Sequence, residues 1–202
     1  LGGYGITAEL ATAAFNDCRK AGLIDSLEPD ENVWASQLQK PLIVTGKLHH
    51  YRYPKQKARF IAGAMQYLRE SRLENLSGKN LRDRLLEING VGPKTAGWVV
   101  RNLLDSDEVA ILDIHLIRAG QLCDLFEQKQ RVERDYFQME ARFIEFCNAL
   151  NVRPAVLDCL IWDQMRAYGP IVQAALRQKL GINDTVGSRS RHATQMNLSI
   201  SA

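Results

Sequence analysis

The 202-residue sequence predicts an all-α protein. Three observations point there. Apolar residues recur at helical spacing in segment after segment. Capping residues, prolines and glycines stand at the ends of those segments. One breaker cluster, Asn89-Gly90-Val91-Gly92, lies between two of them and joins them into a helical hairpin.

The first predicted helix runs from Ala8 to Ala21, with Thr7 as N-cap and Leu10, Ala14 and Cys18 on one face; Gly22 ends it. A connection containing Pro29 leads to a short helix over Val33 to Gln39, where Trp34 reads as core rather than as a platform for a base. Pro41-Leu42-Ile43-Val44 starts the next segment. Gly46 to Arg59, GKLHHYRYPKQKAR, interleaves aromatic and basic side chains, which suits stacking and phosphate contact together. That composition does not choose among His49, His50, Arg52 and Lys55, each of which is as much at home in solvent. Lys57 to Glu70 is predicted helical, with Phe60, Ile61, Ala64 and Leu68 inward.

Ser77-Gly78 breaks the chain before the hairpin, which occupies about residues 81–104. Leu81, Leu85 and Ile88 give its first helix an apolar face. Pro93 opens the second, which Ala96, Trp98, Val99, Val100 and Leu103 carry. Asp105-Ser106-Asp107 is a turn, and Asp113 caps a helix to about Cys123. Asp135 to Leu150 is a long amphipathic helix, with Phe143, Phe146 and Leu150 on its apolar side. Pro154 opens AVLDCLIWDQMRAYG. Val172 to Leu180 is a last helix ended by Gly181, and 188–202 is a polar tail, basic at Arg189 and Arg191 and expected to be mobile.

Composition excludes several classes. With 46% hydrophobic residues but no run of eighteen, the chain holds no predicted membrane span, and no secretory signal is visible. Cys18, Cys123, Cys147 and Cys159 form no C-x-x-C pair, so free thiols are expected rather than a zinc site. The net charge of +3 is unevenly spread: from Lys47 to Arg101 there are twelve Lys/Arg against four Asp/Glu, and from Asn102 to Met165 six against twelve. A basic middle suits a polyanion, although a solvated helix surface has the same look.

The hairpin supplies the chemistry. A Gly-x-Gly turn before a helix lets backbone approach an anion, with the first amides and the positive dipole end behind it. A nucleotide-binding loop would follow a strand, whereas this one follows a helix, so the turn alone is equally an ordinary hairpin. Lys94 stands at a helix start, where a cation is unfavourable; it is either used or merely exposed. Asp113 closes the apolar run Val109-Ala110-Ile111-Leu112.

INGVGPKTA followed by VAILDIH resembles the helix-hairpin-helix plus Gly/Pro-Asp signature of the DNA glycosylase superfamily. The form VAILDIH and the short chain are most similar to the archaeal-type 8-oxoguanine DNA glycosylase/AP lyases, over roughly residues 50–120. The resemblance implies one domain over residues 1–187, built as two helical lobes with the active-site cleft between them. The hairpin would sit in the central lobe, and the N-terminal residues would join those from Leu125 onward. It implies Lys94 as nucleophile and Asp113 as its catalytic carboxylate. Amides at Gly90, Gly92 and Lys94 would meet phosphate, with His115 as a further phosphate contact.

Arg52 and Lys57 fall in the aromatic-basic segment that relatives use on DNA. Leu157, Asp158 and Trp162 match a Leu-Asp-x-x-x-Trp stretch lining the base pocket, where Trp162 would stack and Asp158 would make a polar contact. Carbonyls of Leu86, Ile88 and Val91 would hold a structural K⁺ or Na⁺. No cofactor is required, and the cysteine spacing of an iron–sulfur cluster is missing. The implied partner is double-stranded DNA with a modified base, bound by a monomer at the nucleoid or in a nucleus. About forty residues follow Trp162 where similar proteins end, which departs from the pattern. Two alternatives stand beside excision of 8-oxoguanine: release of another modified base, and a non-catalytic hairpin module that only holds DNA backbone.

Overall fold

A computed structural model describes residues 1–3, 5–179 and 181. It is helical almost throughout, as the periodicity requires. The predicted tail over 188–202 and the end of the last helix at Leu180 lie outside the described residues. The chain divides into two compact units, residues 1–96 and residues from 97 onward. The N-terminal residues fall in the same unit as the first helix of the hairpin.

The first unit starts with α1 (Ala8–Lys20), capped as expected by the Thr7 hydroxyl, which accepts from the Leu10 amide. Leu10, Ala14 and Cys18 are its buried face. In α2 (Glu31–Leu38) Trp34 is 1% exposed, and its indole N–H donates to the Glu28 carbonyl at 2.7 Å, so it is core. A two-stranded antiparallel hairpin follows, β1 (Leu42–Val44) and β2 (Lys47–His49), which helical periodicity did not foretell. Its cause is local: Thr45 and Gly46 both take positive φ (50° and 78°), the geometry of a tight two-residue turn.

Next, α3 (Pro54–Glu70) begins three residues before the expected start, because Pro54 sits at the first helical position, where its missing N–H costs nothing. Its buried residues are Ala58 and Ala62, whereas Leu68 is 38% exposed. The side that α2 packs on is thus set by two alanines one turn apart, which admit a neighbouring helix closely. In α4 (Gly78–Leu85) and the turn after it, Leu81, Leu85 and Ile88 are buried as expected. The unit's core joins Leu10, Ala14, Trp34, Leu38, Tyr51 and Ala58.

The unit boundary falls within α5 (Pro93–Leu104). Ala96 and Val100 are fully buried, whereas Trp98, Val99 and Leu103 are exposed. The second unit continues with α6 (Ile114–Leu122), α7 (Val132–Ala149), α8 (Pro154–Ala167) and α9 (Gly169–Lys179). Its core is built on Leu116, Phe126, Tyr136, Met139, Phe143 and Cys147. In α7 the buried stripe is Tyr136, Met139, Glu140, Phe143 and Cys147, while Leu150 is 51% exposed.

Arg153 pins the turn before α6, donating to Asp107 at 2.6 Å and to Asp105 at 3.0 Å. All four cysteines are free thiols; burial pushes Cys18 and Cys147 up to about 11. No described helix is long and apolar enough to cross a membrane.

Candidate functional site

The turn between α4 and α5 is held by its own backbone. The Ile88 amide donates to Leu85 O at 3.2 Å, and the Val91 amide to Ile88 O at 3.0 Å. Gly90 has φ +89°, and a Cβ there would lie 2.7 Å from the Phe60 ring. Glycine is therefore required on two counts, conformation and the close passage of α3. Gly92 is different: a Cβ on it would meet nothing within 4 Å. The space over it is open, as a close-approaching backbone would need.

The α5 ladder begins with the Ala96 amide donating to Gly92 O at 2.9 Å. The amides of its first turn point out of the helix end and favour an anion there. Lys94 stands in this first turn, half-buried. Its ammonium makes no hydrogen bond or ion pair among the described residues. A cation here stands against the helix dipole.

Asp113 is held by a different device. Val109, Ala110, Ile111 and Leu112 are 1–3% exposed yet belong to no strand, so their backbone groups need partners. Two α7 side chains supply them. The Tyr136 hydroxyl donates to Ala110 O at 3.0 Å and accepts from the Leu112 amide at 3.2 Å; Glu140 Oε1 accepts from the Ala110 amide at 3.0 Å. This fixes the segment that delivers Asp113 to the N-cap of α6, where Oδ1 accepts from the Leu116 amide at 2.8 Å. The cap is the one bond of that carboxylate among the described residues, which leaves its second oxygen available.

His115 and Trp162, which the sequence marked separately, meet in the second unit: their rings pack edge-on with centroids 6.2 Å apart. Trp162 is 41% exposed and so is not core; the Arg166 guanidinium lies 4.7 Å over its ring. Asp158 is 6% exposed and forms a buried ion pair with Arg101, whose guanidinium also stacks on Trp98. The carboxylate expected as a polar contact for a base is thus already engaged by an arginine.

In the first unit Arg52 is exposed and stacks on Tyr53, 4.7 Å from the ring centre. Lys57 instead reaches the chain's own backbone, donating to Gly2 O at 2.9 Å, and desolvation holds its ammonium below the usual lysine range. Of the proposed cation carbonyls, that of Ile88 spends one lone pair on the Val91 amide and keeps another. No three His, Cys, Asp or Glu cluster to hold a metal among the described residues. A groove of about 470 Å³ lies beside α1 and β1, lined among others by Glu9, Thr12 and Asn16.

Tyr136, Glu140 and Arg101 were not singled out by sequence. For the first two a signal existed: polar residues one turn apart on the buried stripe of α7 must be satisfying something. Arg101 carried none, since its partner lies 57 residues away.

The glycine turn joining α4 to α5 makes this a helix-hairpin-helix protein. Residues 12–152 match the family model Ogg-HhH, described as 8-oxoguanine DNA glycosylase, and the chain belongs to that family. It is 37% identical over 117 residues to the 8-oxoguanine DNA glycosylase/AP lyase of Metallosphaera sedula, covering 55% of this chain and 57% of that protein. The chain thus spans little more than half the length of that relative. No solved structure matches it significantly.

Proposed function

We propose that the chain is a bifunctional DNA glycosylase/AP lyase that excises 8-oxoguanine from double-stranded DNA. One observation carries the reading beyond family membership. Lys94 stands half-buried in the first turn of α5, directly after the glycine turn, with an ammonium that makes no hydrogen bond or ion pair among the described residues.

In this reading the modified nucleotide leaves the stack at a cost of a few kcal/mol, while the turn amides and His115 hold phosphates. Lys94 acts as an amine, because an ammonium has no lone pair to give. Its Nζ attacks the sugar C1′, the N-glycosidic bond breaks, and the base departs with the bonding electrons and takes up a proton. The sugar ring opens to a Schiff base on Lys94. Loss of a C2′ proton and cleavage of the C3′–O bond then release the 3′ phosphate and nick the strand. Asp113 stabilises positive charge developing on the sugar. Trp162 offers its exposed face for stacking on the base. A K⁺ or Na⁺ ion suits the uncharged carbonyls of Leu86, Ile88 and Val91; when bound it adds positive potential toward the DNA backbone. The enzyme acts as a monomer at the site of the DNA.

A second reading, excision of a different modified base, draws on the Arg101–Asp158 pair: with Asp158 engaged, selection of the base passes to other groups. One experiment separates the two. The protein is incubated with a duplex carrying a single 8-oxoguanine, and borohydride is added. A covalent adduct establishes nucleophilic lyase chemistry on that base. No adduct, with an abasic duplex still trapped, moves the substrate to another base. Failure on both duplexes overturns the enzyme reading in favour of a binding module.

A further inference from the structure

The β1–β2 hairpin has no part in the chemistry above, yet it is unusual for a surface element. Ile43 and Leu48 lie directly opposite each other in its register and are 73% and 70% exposed, while Leu42, the neighbour of Ile43, is 7% exposed and faces the core. Leu42 alone of the hairpin is buried, and the opposite face displays two large aliphatic side chains side by side. Threonine would hold a strand here equally well. An exposed apolar pair on a two-stranded hairpin is an aggregation liability unless something covers it.

Charge selects what covers it. From Asn32 to Arg69 the chain has no Asp or Glu, while Lys40, Lys47, Arg52, Lys55, Lys57, Arg59 and Arg69 are basic and His49 and His50 lie in the same stretch. Among the residues lining the groove beside β1, the carboxylate is Glu9 of α1. A second copy of so basic a segment would repel, whereas a polyanion is attracted. Isoleucine and leucine carry no donors or acceptors and so read no base edge. They suit the minor groove, where DNA-bending proteins insert apolar side chains such as Leu and Ile between base steps. Such a contact is independent of sequence, as an enzyme acting wherever damage falls requires. The hairpin also leads straight into α3, whose Phe60 underlies Gly90, so hairpin and anion-binding turn share one unit.

We propose that the β1–β2 hairpin is a second duplex-DNA contact, with Ile43 and Leu48 seated in the minor groove and Lys47 on a flanking phosphate. The inference rests on the DNA-acting reading of the hairpin turn. It is tested by binding rather than turnover. Fluorescence anisotropy on a duplex with a tetrahydrofuran abasic analogue compares wild type, Ile43→Thr and the double variant Ile43→Thr/Leu48→Thr, with circular dichroism checking the fold.

The double variant is expected to lose about tenfold in affinity, with Ile43→Thr intermediate and borohydride trapping at saturating DNA unchanged. Lys47→Ala should lower the salt slope by about one. A bound minor-groove ligand such as netropsin should erase the wild-type advantage. Wild-type affinity in the folded double variant overturns the proposal, as does loss of a dimer with DNA affinity intact, which would assign the pair to a second copy. Wild-type protein that binds duplex but traps nothing defeats the glycosylase reading and leaves the hairpin to be judged by its own variants; wild-type protein that binds no duplex defeats both.

Discussion

Lys94 and Asp113 reach their positions by different means, and substitutions can tell role from scaffold. Lys94 is in no bond among the described residues, so Lys94→Gln should leave the fold and DNA binding close to wild type. Borohydride trapping and strand nicking should both vanish; retained trapping would remove Lys94 from the nucleophile's role. Asp113 doubles as the cap of α6, so the choice of variant matters. Asparagine caps as well as aspartate, whereas alanine costs about 1 kcal/mol. Asp113→Asn is therefore expected to keep the melting temperature and slow base release by orders of magnitude. A near-normal single-turnover rate in that variant would reduce Asp113 to a cap.

The elements that carry these residues have their own dependencies. The extended run before Asp113 is held by Tyr136 and Glu140 of α7, and Tyr136→Phe strips partners from a buried amide and a buried carbonyl. The cost should be about 1–3 kcal/mol in urea unfolding. Because the same bonds aim Asp113, kcat should fall while KM stays; an unchanged kcat would show that α7 supports the fold alone. The hairpin turn depends on Gly90 in the same way. Gly90→Ala meets both the positive φ and the Phe60 ring, and should cost about 1–3 kcal/mol. It should also weaken duplex binding, since the displaced turn no longer presents its amides together. Full affinity in a destabilised Gly90→Ala protein would argue that the turn does not touch DNA.

For the whole molecule, the relevant quantity is the uneven charge. The twelve Lys/Arg against four Asp/Glu between Lys47 and Arg101 predict steeply salt-dependent binding, with log K falling linearly in log salt. Titration of duplex affinity against potassium chloride measures the slope. A flat dependence would mean that this basic stretch does not neutralise phosphates.

Much of this was legible in the chain before any fold was drawn. Caps at Thr7 and Asp113, the Pro93 start and the Leu81, Leu85, Ile88 face depend on residues within a turn or two of each other, and local sequence states them. The glycine turn, the lysine after it and the aspartate after an apolar run are equally local, so the family was legible too. The tertiary structure alone decided which apolar residues face inward: Ala58 and Ala62 rather than Leu68, and Tyr136 and Met139 rather than Leu150. Periodicity marks a stripe, but the neighbour that packs on it chooses the edge. Only tertiary structure, too, paired Arg101 with Asp158, set His115 against Trp162 and gave Lys57 to Gly2. Those partners are 47 to 57 residues apart, and no rule of spacing along a helix or strand reaches that far.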